Sequence, residues 1–82
     1  MDRTRTQIDG RIIEEADYKG YHVRAVCGYN IQDDNYLVHL YIVPPTGPEI
    51  RVFDPPRAEN TVEDALDHAF FVACSEIDQL VP

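Results

Sequence analysis

Two alternating segments, joined by a short polar stretch, constrain the fold of this chain more than any other feature. In YHVRAVCGYN, residues 21–30, apolar and aromatic side chains occupy the odd positions, and in YLVHLYIV, residues 36–43, both faces are largely apolar. A period of two places successive side chains on opposite faces of a β-strand. The residues between the segments, IQDDN, favour a turn. Together these stretches predict a β-hairpin.

The register of the hairpin follows from its apolar faces. A core forms only if odd-numbered residues of the first strand stand opposite even-numbered residues of the second strand, because a slip of one residue turns every side chain to the other face. Loops of four residues are common in hairpins. The predicted pairs are Tyr29 with Tyr36, Cys27 with Val38 and Asn30 with Asn35, and they leave the four-residue loop Ile31–Asp34.

The C-terminal segment predicts a helix over residues 61–80. After the prolines of DPPRAEN, Asn60 or Thr61 supplies an N-cap, and each has a carboxylate three residues later, as in a capping box. At 100° per residue one stripe is apolar, and we expect this stripe to pack on the sheet. It consists of Val62, Leu66, Ala69, Phe70, Ala73, Ile77 and Leu80.

The remaining segments complete an α+β fold. We expect residues 1–7 to form a flexible arm. IDGRIIEEADYKG, residues 8–20, fits either a helix capped by Asp9 and ended by Gly20 or a short strand before a turn, and we favour the strand. EIRVF, residues 49–53, predicts a short edge strand. We predict a single domain over residues 1–82, in which an antiparallel sheet of three or four strands, in β-β-β-α order, packs against one C-terminal helix.

The charge of the chain excludes several kinds of partner. Fifteen Asp and Glu residues stand against seven Lys and Arg residues, so the net charge of the 82 residues is −8. Nucleic acids and anionic membranes bind through basic side chains, and we expect neither as a partner. No apolar run reaches the ~18 residues of a membrane span, and residues 1–10 lack the apolar core of a secretory signal. We therefore expect a cytoplasmic protein.

We find no pattern that argues for catalysis, a metal or a cofactor. Cys27 and Cys74 show no metal-binding spacing, and we expect two reduced core thiols. Asp64 and His68 share a helix face, but a metal site of this kind draws further ligands from a second segment, and none is evident. The four glycines are isolated, so there is no phosphate-binding loop. We predict no catalytic residues, no cofactor and no enzymatic activity.

Phe71 is the residue of the helix that its apolar stripe does not explain. On the helical wheel it lies almost opposite the stripe, between Asp64, Asp67 and Asp78, so an aromatic ring is predicted to stand in water among carboxylates. One explanation is that the N-terminal segment covers the ring or that the exposure has no function. The other is an apolar anchor with an acidic rim for a partner with a basic face.

The outer face of the hairpin is a second candidate surface. The predicted register groups His39 and Tyr41 with several apolar side chains, which makes this face too apolar for a plain solvated face. We expect the N-terminal segment, a second copy of the chain or another protein to cover it. The predicted members of the face are His22, Arg24, Val26, Leu37, His39, Tyr41 and Val43.

Two families resemble the chain. The order of strands followed by a helix that begins with Thr61, Glu63, Ala65 and Leu66 resembles HicB-type antitoxins, and this resemblance implies a role as inhibitor of a small basic protein. The β-β-β-α order also resembles double-stranded-RNA-binding domains, although Glu63 and Asp64 stand where that family carries basic residues. YKGYHVRAV and VFDPP are similar to segments of small bacterial proteins. We predict an acidic protein-protein interaction module; the alternatives are an antitoxin-like inhibitor and, less favoured, a small-molecule-binding protein or enzyme.

Overall fold

A computed structural model describes residues 2–51 and 59–81, and it confirms the predicted α+β class. The sheet is an antiparallel meander with the spatial order β1-β2-β3-β4-β5, and one helix follows it. β5 contains only two residues, so four strands carry the sheet. The elements are β1 Thr4–Ile8, β2 Arg11–Tyr18, β3 Tyr21–Asn30, β4 Asn35–Val43, β5 Ile50–Arg51 and α1 Val62–Leu80.

The hairpin of β3 and β4 has the register that the apolar faces required. Tyr29 pairs with Tyr36, Cys27 with Val38 and Asn30 with Asn35, so the connecting loop has four residues. Asp34, at the end of that loop, has a positive φ of 51°. Aspartate tolerates this conformation better than most residues, which agrees with the turn chemistry of IQDDN.

The N-terminal residues Thr4–Ile8 form a strand, so the prediction of a flexible arm over residues 1–7 is wrong for residues 4–7. β1 pairs with β2 along its whole length, from Thr4 opposite Glu15 to Ile8 opposite Arg11. A two-residue turn joins them, with positive φ at Asp9 (49°) and Gly10 (76°). An Asp-Gly pair in this conformation matches the twist of a hairpin. The prediction of a strand after this turn is confirmed by β2, and the helical alternative is wrong.

The connection from β4 to the helix is described only at its ends. β5 covers the first part of the predicted strand EIRVF, while residues 52 and 53 of that strand and residues 54–58 of DPPRAEN lie outside the described residues. Glu59 then exchanges two backbone hydrogen bonds with Tyr36, at 2.8 and 3.1 Å. This bridge brings the chain back beside β4 just before the helix begins.

α1 packs its apolar stripe on one face of the sheet. Thr61 is the N-cap, and its hydroxyl accepts a hydrogen bond from the backbone N of Asp64 at 3.1 Å. Leu80 is 54% exposed, so its place in the predicted stripe is wrong. The chain leaves the helix at Val81, which is extended and packs against the core instead. The buried helix residues are Ala65, Leu66, Ala69, Phe70, Ala73 and Ile77.

Both cysteines are free thiols. Cys27 is buried in the core between sheet and helix, whereas Cys74 is half-buried on α1. Burial raises the pKa of each thiol, because the thiolate loses its hydration in an apolar environment. Both groups are therefore poor nucleophiles at neutral pH.

Candidate interaction surfaces

The sheet has one face packed against α1 and one face that no described element covers. We call the second face the outer face. β1 extends the sheet at its edge, so the N-terminal segment does not cover this face as one of our alternatives proposed. The outer face carries the side chains of Thr6 and Ile8 from β1, Arg11, Ile13 and Glu15 from β2, His22, Arg24 and Val26 from β3, and Leu37, His39, Tyr41 and Val43 from β4.

The middle of the outer face is concave, and its apolar side chains lie beside Arg11 and His39. Gly28 pairs with Leu37 and Val26 pairs with His39, so these four residues form two adjacent rows across β3 and β4. Leu37 is 43% exposed. An open depression of about 430 Å³ lies over these rows, and a second of about 450 Å³ lies toward β1; Arg11 and Val26 line both. The two depressions form a trough across the sheet.

Most charged groups on the outer face are paired within the chain, and Arg11 is the exception among the described residues. The guanidinium of Arg24 lies 3.4 Å from a carboxylate oxygen of Glu49 and 4.9 Å from the ring centre of Tyr41. Arg11 lines the trough and makes no ion pair with the described residues. An apolar centre with a polar rim is the anatomy of protein interfaces.

His22 lies between two carboxylates at one end of the outer face. Its Nδ1 is 2.8 Å from Asp17 Oδ1 and its Nε2 is 3.2 Å from Glu15 Oε1. These contacts raise the pKa of His22, with Asp17 contributing most. Both ring nitrogens of His22 are engaged by carboxylates, so His22 acts as an ion-pairing group on this face.

The sequence-predicted residues His39 and Tyr41 both lie on the outer face. His39 is exposed and lines the depression of about 430 Å³ together with Val26. Tyr41 is half-buried beneath the guanidinium of Arg24, where the cation faces the aromatic ring. The structure therefore brings these two residues together on one surface, and it places Phe71 on the helix, on the opposite side of the sheet.

Phe71 is exposed, but its predicted acidic rim is partly neutralised. The ring is 70% exposed and stacks on His68, with the ring centres 6.5 Å apart. Asp67 accepts a hydrogen bond from Arg3 at 2.6 Å, and Asp78 contacts the Lys19 amine at 2.7 Å. Each of these carboxylates is thus paired with a cation: Arg3 precedes β1, and Lys19 lies in the turn between β2 and β3. For two of the three predicted rim residues, the charge is not free for a partner.

Asp78 is held in its ionised form by two neighbours. Lys19 Nζ donates a hydrogen bond to Asp78 Oδ1 at 2.7 Å, and the Tyr18 hydroxyl donates one at 2.9 Å. These bonds lower the pKa of Asp78, the Lys19 contact more than the Tyr18 contact. The last turn of α1 carries no basic residue, so the cation that compensates Asp78 comes from the turn between β2 and β3.

The sequence interpretation missed an ionic cluster under β1. Glu14 is buried, only 4% exposed, on the face of β2 that packs toward α1. Arg5 Nε donates a hydrogen bond to Glu14 Oε2 at 2.7 Å, and Arg3 Nε lies 3.2 Å from Oε1 without the geometry of a hydrogen bond. A buried carboxylate is stable only when it is paired, and these arginines supply the pairing.

The same two arginines tie β1 to the helix. Arg5 reaches Glu63 at 2.9 Å and Arg3 reaches Asp67 at 2.6 Å. The guanidinium of Arg3 also lies 4.9 Å from the ring centre of Phe70. The signal in the sequence was RTR, residues 3–5: two arginines at a spacing of two share one face of a strand. The cluster is structural, because its charges are satisfied by one another.

No group of three or more His, Cys, Asp or Glu side chains within residues 2–51 and 59–81 is placed to hold a metal ion. Over the same residues, no helix combines the length and the apolarity needed to span a membrane.

No family model matches the chain, and comparisons with curated proteins and with solved structures found no match.

Proposed function

We propose that this chain is a small cytoplasmic protein-interaction module whose binding surface is the outer face of the sheet. One observation carries the proposal: the sheet leaves a concave face, with exposed apolar side chains at its centre and charged groups around them, without any described element over it. An antiparallel sheet with one solvated face normally alternates apolar and polar residues, with the polar ones outward. Here Ile13, Val26 and Leu37 point outward instead.

The composition of the outer face favours a protein over other ligands. Nucleic-acid binding draws on several free basic groups, whereas on the outer face Arg24 is paired with Glu49 and His22 lies between two carboxylates, so that Arg11 is left without an ion pair among the described residues. A trough open along its length encloses a small molecule poorly, because ligand pockets bury most of the ligand surface. A wide apolar centre with polar edges is better matched by another protein surface.

Selective retention of a protein tests the proposal. The tagged chain is used as bait in its native lysate beside Leu37→Glu, which places a charge in the centre of the outer face, and Phe71→Glu, the matched change on α1. We expect the wild type and Phe71→Glu to retain the same protein and Leu37→Glu to lose it. The retained protein, once purified, must bind the wild-type chain directly. Equal retention by all three baits contradicts the proposal.

A second candidate surface is the exposed face of α1, and the 70% exposure of Phe71 favours it. In this case the chain acts as an antitoxin-like inhibitor of a basic protein, with Phe71 as the apolar anchor. Asp64 is then the acidic contact beside Asp67, which is paired with Arg3, and Asp78, which is paired with Lys19. The same experiment separates the two candidates. Loss of a basic protein by Phe71→Glu, with retention by Leu37→Glu, would establish α1 as the binding surface.

A further inference from the structure

Gly28 leaves a hole in the outer face. It lies inside β3, where glycine weakens a strand, and a Cβ added there would have no heavy atom within 4 Å. Its φ lies outside the left-handed range, so the backbone does not require glycine. A glycine inside a strand without a local cause is typical of a position that another backbone or ligand approaches closely.

Leu37 is a projection beside this hole. It pairs directly with Gly28 across β3 and β4, and it is 43% exposed. Paired residues on neighbouring antiparallel strands have their Cα atoms about 5 Å apart. The hole and the projection are thus neighbours on the same face. They lie on opposite sides of the boundary between β3 and β4.

A two-fold axis along this boundary makes the outer face complementary to itself. In a two-fold interface, if residue i of one copy contacts residue j of the other, then j also contacts i. Rotation about an axis that lies in the interface and runs between β3 and β4 places Leu37 of each copy over Gly28 of the other. The next rows then bring Val26 to His39 and Arg24 to Tyr41 of the second copy.

The distribution of charge favours a second copy on this face over one on the helix. Two chains of net charge −8 repel each other. The exposed face of α1 carries Glu63, Asp64, Asp67, Glu76 and Asp78, three of which are paired with Arg5, Arg3 and Lys19. On the outer face Glu15 and Asp17 contact His22, and the rows of Gly28 and Val26 carry no carboxylate. Contact through the outer faces puts two sheets, about 10 Å apart, between the acidic helices. The two helices are then farther apart than the Debye length, which is about 8 Å at physiological salt.

The size of the outer face agrees with a dimer interface. The longest strand, β3, has ten residues, and the sheet has five strands. At about 3.3 Å per residue and about 4.8 Å between strands, the face spans roughly 500–800 Å² in projection. A stable interface buries about 800 Å² per partner, measured as accessible surface, which exceeds the projected area when side chains stand out from it.

We infer that the partner of the outer face is a second copy of this chain, packed sheet to sheet with Leu37 of each copy in the Gly28 depression of the other. This inference rests on the proposed function and names its partner. It makes the chain a symmetric dimer with the two acidic helices on its outside.

Exchange of the hole and the projection tests the arrangement. The full chain and its variants are compared by sedimentation equilibrium, with thermal unfolding as the check on folding. Gly28→Leu fills the hole, so two leucines collide at each of two equivalent contacts, and we expect the dissociation constant of the dimer to rise about tenfold to a hundredfold. Adding Leu37→Gly moves the hole to β4 and restores the contact, so the double variant should return to within about tenfold of the wild type.

Two controls separate this inference from the proposed function. Phe71→Glu should leave the dissociation constant unchanged, because α1 lies outside the interface. If Leu37→Gly prevents folding of the double variant, Leu37→Ala replaces it. A wild type that stays monomeric at millimolar concentration, or a dimer that Gly28→Leu does not weaken, overturns the inference. If a monomeric wild type still retains a different protein that Leu37→Glu loses, the proposed function stands and only the self-association is wrong.

Discussion

At the residue scale, Glu14 is the side chain whose environment differs most from its ordinary one. It is 4% exposed, and its charge is balanced by Arg3 and Arg5, whose side chains are 26% and 41% exposed. The carboxylate is therefore the buried member of the cluster, and the arginines remain partly in water. Removal of the carboxylate leaves two solvated cations with other partners, whereas removal of the arginines leaves a buried anion alone.

We predict that Arg3→Ala with Arg5→Ala destabilises the chain, because it leaves the buried carboxylate of Glu14 without a cation. Glu14→Leu in the wild-type background should cost less. In the double-alanine background, Glu14→Leu should recover part of the lost stability, since it removes the unpaired carboxylate. Urea unfolding of the four proteins measures this. If Glu14→Leu lowers stability further in the double-alanine background, Glu14 is not held as we describe.

His22 makes stability depend on pH. Contacts with Asp17 and then Glu15 raise its folded pKa above the ordinary value of about 6.5. The folded chain therefore binds this proton more tightly than the unfolded chain does, and the contribution is fully present below about pH 6.5. It is lost as pH rises through the raised folded pKa.

We expect the free energy of unfolding to fall as pH rises through this window. His22→Gln should remove that slope, and Asp17→Asn should reduce it by more than Glu15→Gln does. Urea unfolding at several pH values, together with an NMR titration of the His22 ring, measures the effect. A titration of His22 below pH 6.5 would contradict the raised pKa.

At the element scale, β1 depends on ionic contacts more than any other described strand. All five of its residues are exposed, and its arginines reach Glu63 and Asp67 on α1. Exposed ion pairs weaken as salt screens them. Few apolar contacts therefore hold this strand, and local opening is expected to begin here.

We predict that amide hydrogen exchange in β1 accelerates as salt concentration rises, while exchange in β3 changes little. The matched control is Glu63→Gln with Asp67→Asn, which removes the exposed pairs and leaves Glu14. In that variant, exchange in β1 should already be fast at low salt and should respond less to added salt. Equal salt dependence in β1 and β3 would show that the ion pairs do not hold the strand.

The N-terminus of α1 offers a separate test of element stability. The Thr61 hydroxyl accepts the backbone N–H of Asp64 at 3.1 Å and satisfies one of the unpaired donors of the first turn. Thr61→Ala should lower stability by about 1 kcal/mol, whereas Thr61→Ser should retain most of it. Chemical denaturation measures both. An alanine variant as stable as the wild type would exclude a capping role.

The hairpin of β3 and β4 could be predicted from the sequence, whereas β1 could not. The register of β3 and β4 follows from the need to align two apolar faces, which is a local property of YHVRAVCGYN and YLVHLYIV. β1, TRTQI, has no apolar alternation. Its position depends on an Asp-Gly turn and on arginines that meet Glu14 and α1, and contacts over such distances in sequence leave no periodic pattern.

For the candidate surfaces too, the sequence predicts which residues are exposed but not which charges are paired. Alternation placed His39 and Tyr41 on the outer face, and the helical wheel placed Phe71 in water, where it is 70% exposed. The pairing of Asp67 with Arg3 and of Asp78 with Lys19 joins residues 64 and 59 positions apart, so no spacing rule reveals it. The hole at Gly28 depends on which neighbours surround it, which only the assembled sheet defines.

At the scale of the whole molecule, the sheet separates two surfaces of different character. α1 and its ion pairs give one side an acidic exterior that repels a second copy. The outer face gives the other side a trough in which apolar side chains lie beside Arg11, and its other charges are largely paired within the chain. This asymmetry is the physical basis for association through the sheet, and it predicts a dimer whose exterior is acidic.

The most direct measurement is an NMR dilution series of the full chain, from millimolar to low micromolar concentration, with backbone amides assigned. We predict that the amide shifts of Val26, Gly28, Leu37 and His39 change with concentration and that those around Phe71 do not. Shift changes confined to α1, or no change at any concentration together with equal retention of proteins by the wild type and Leu37→Glu, would contradict the assignment of the outer face as the binding surface.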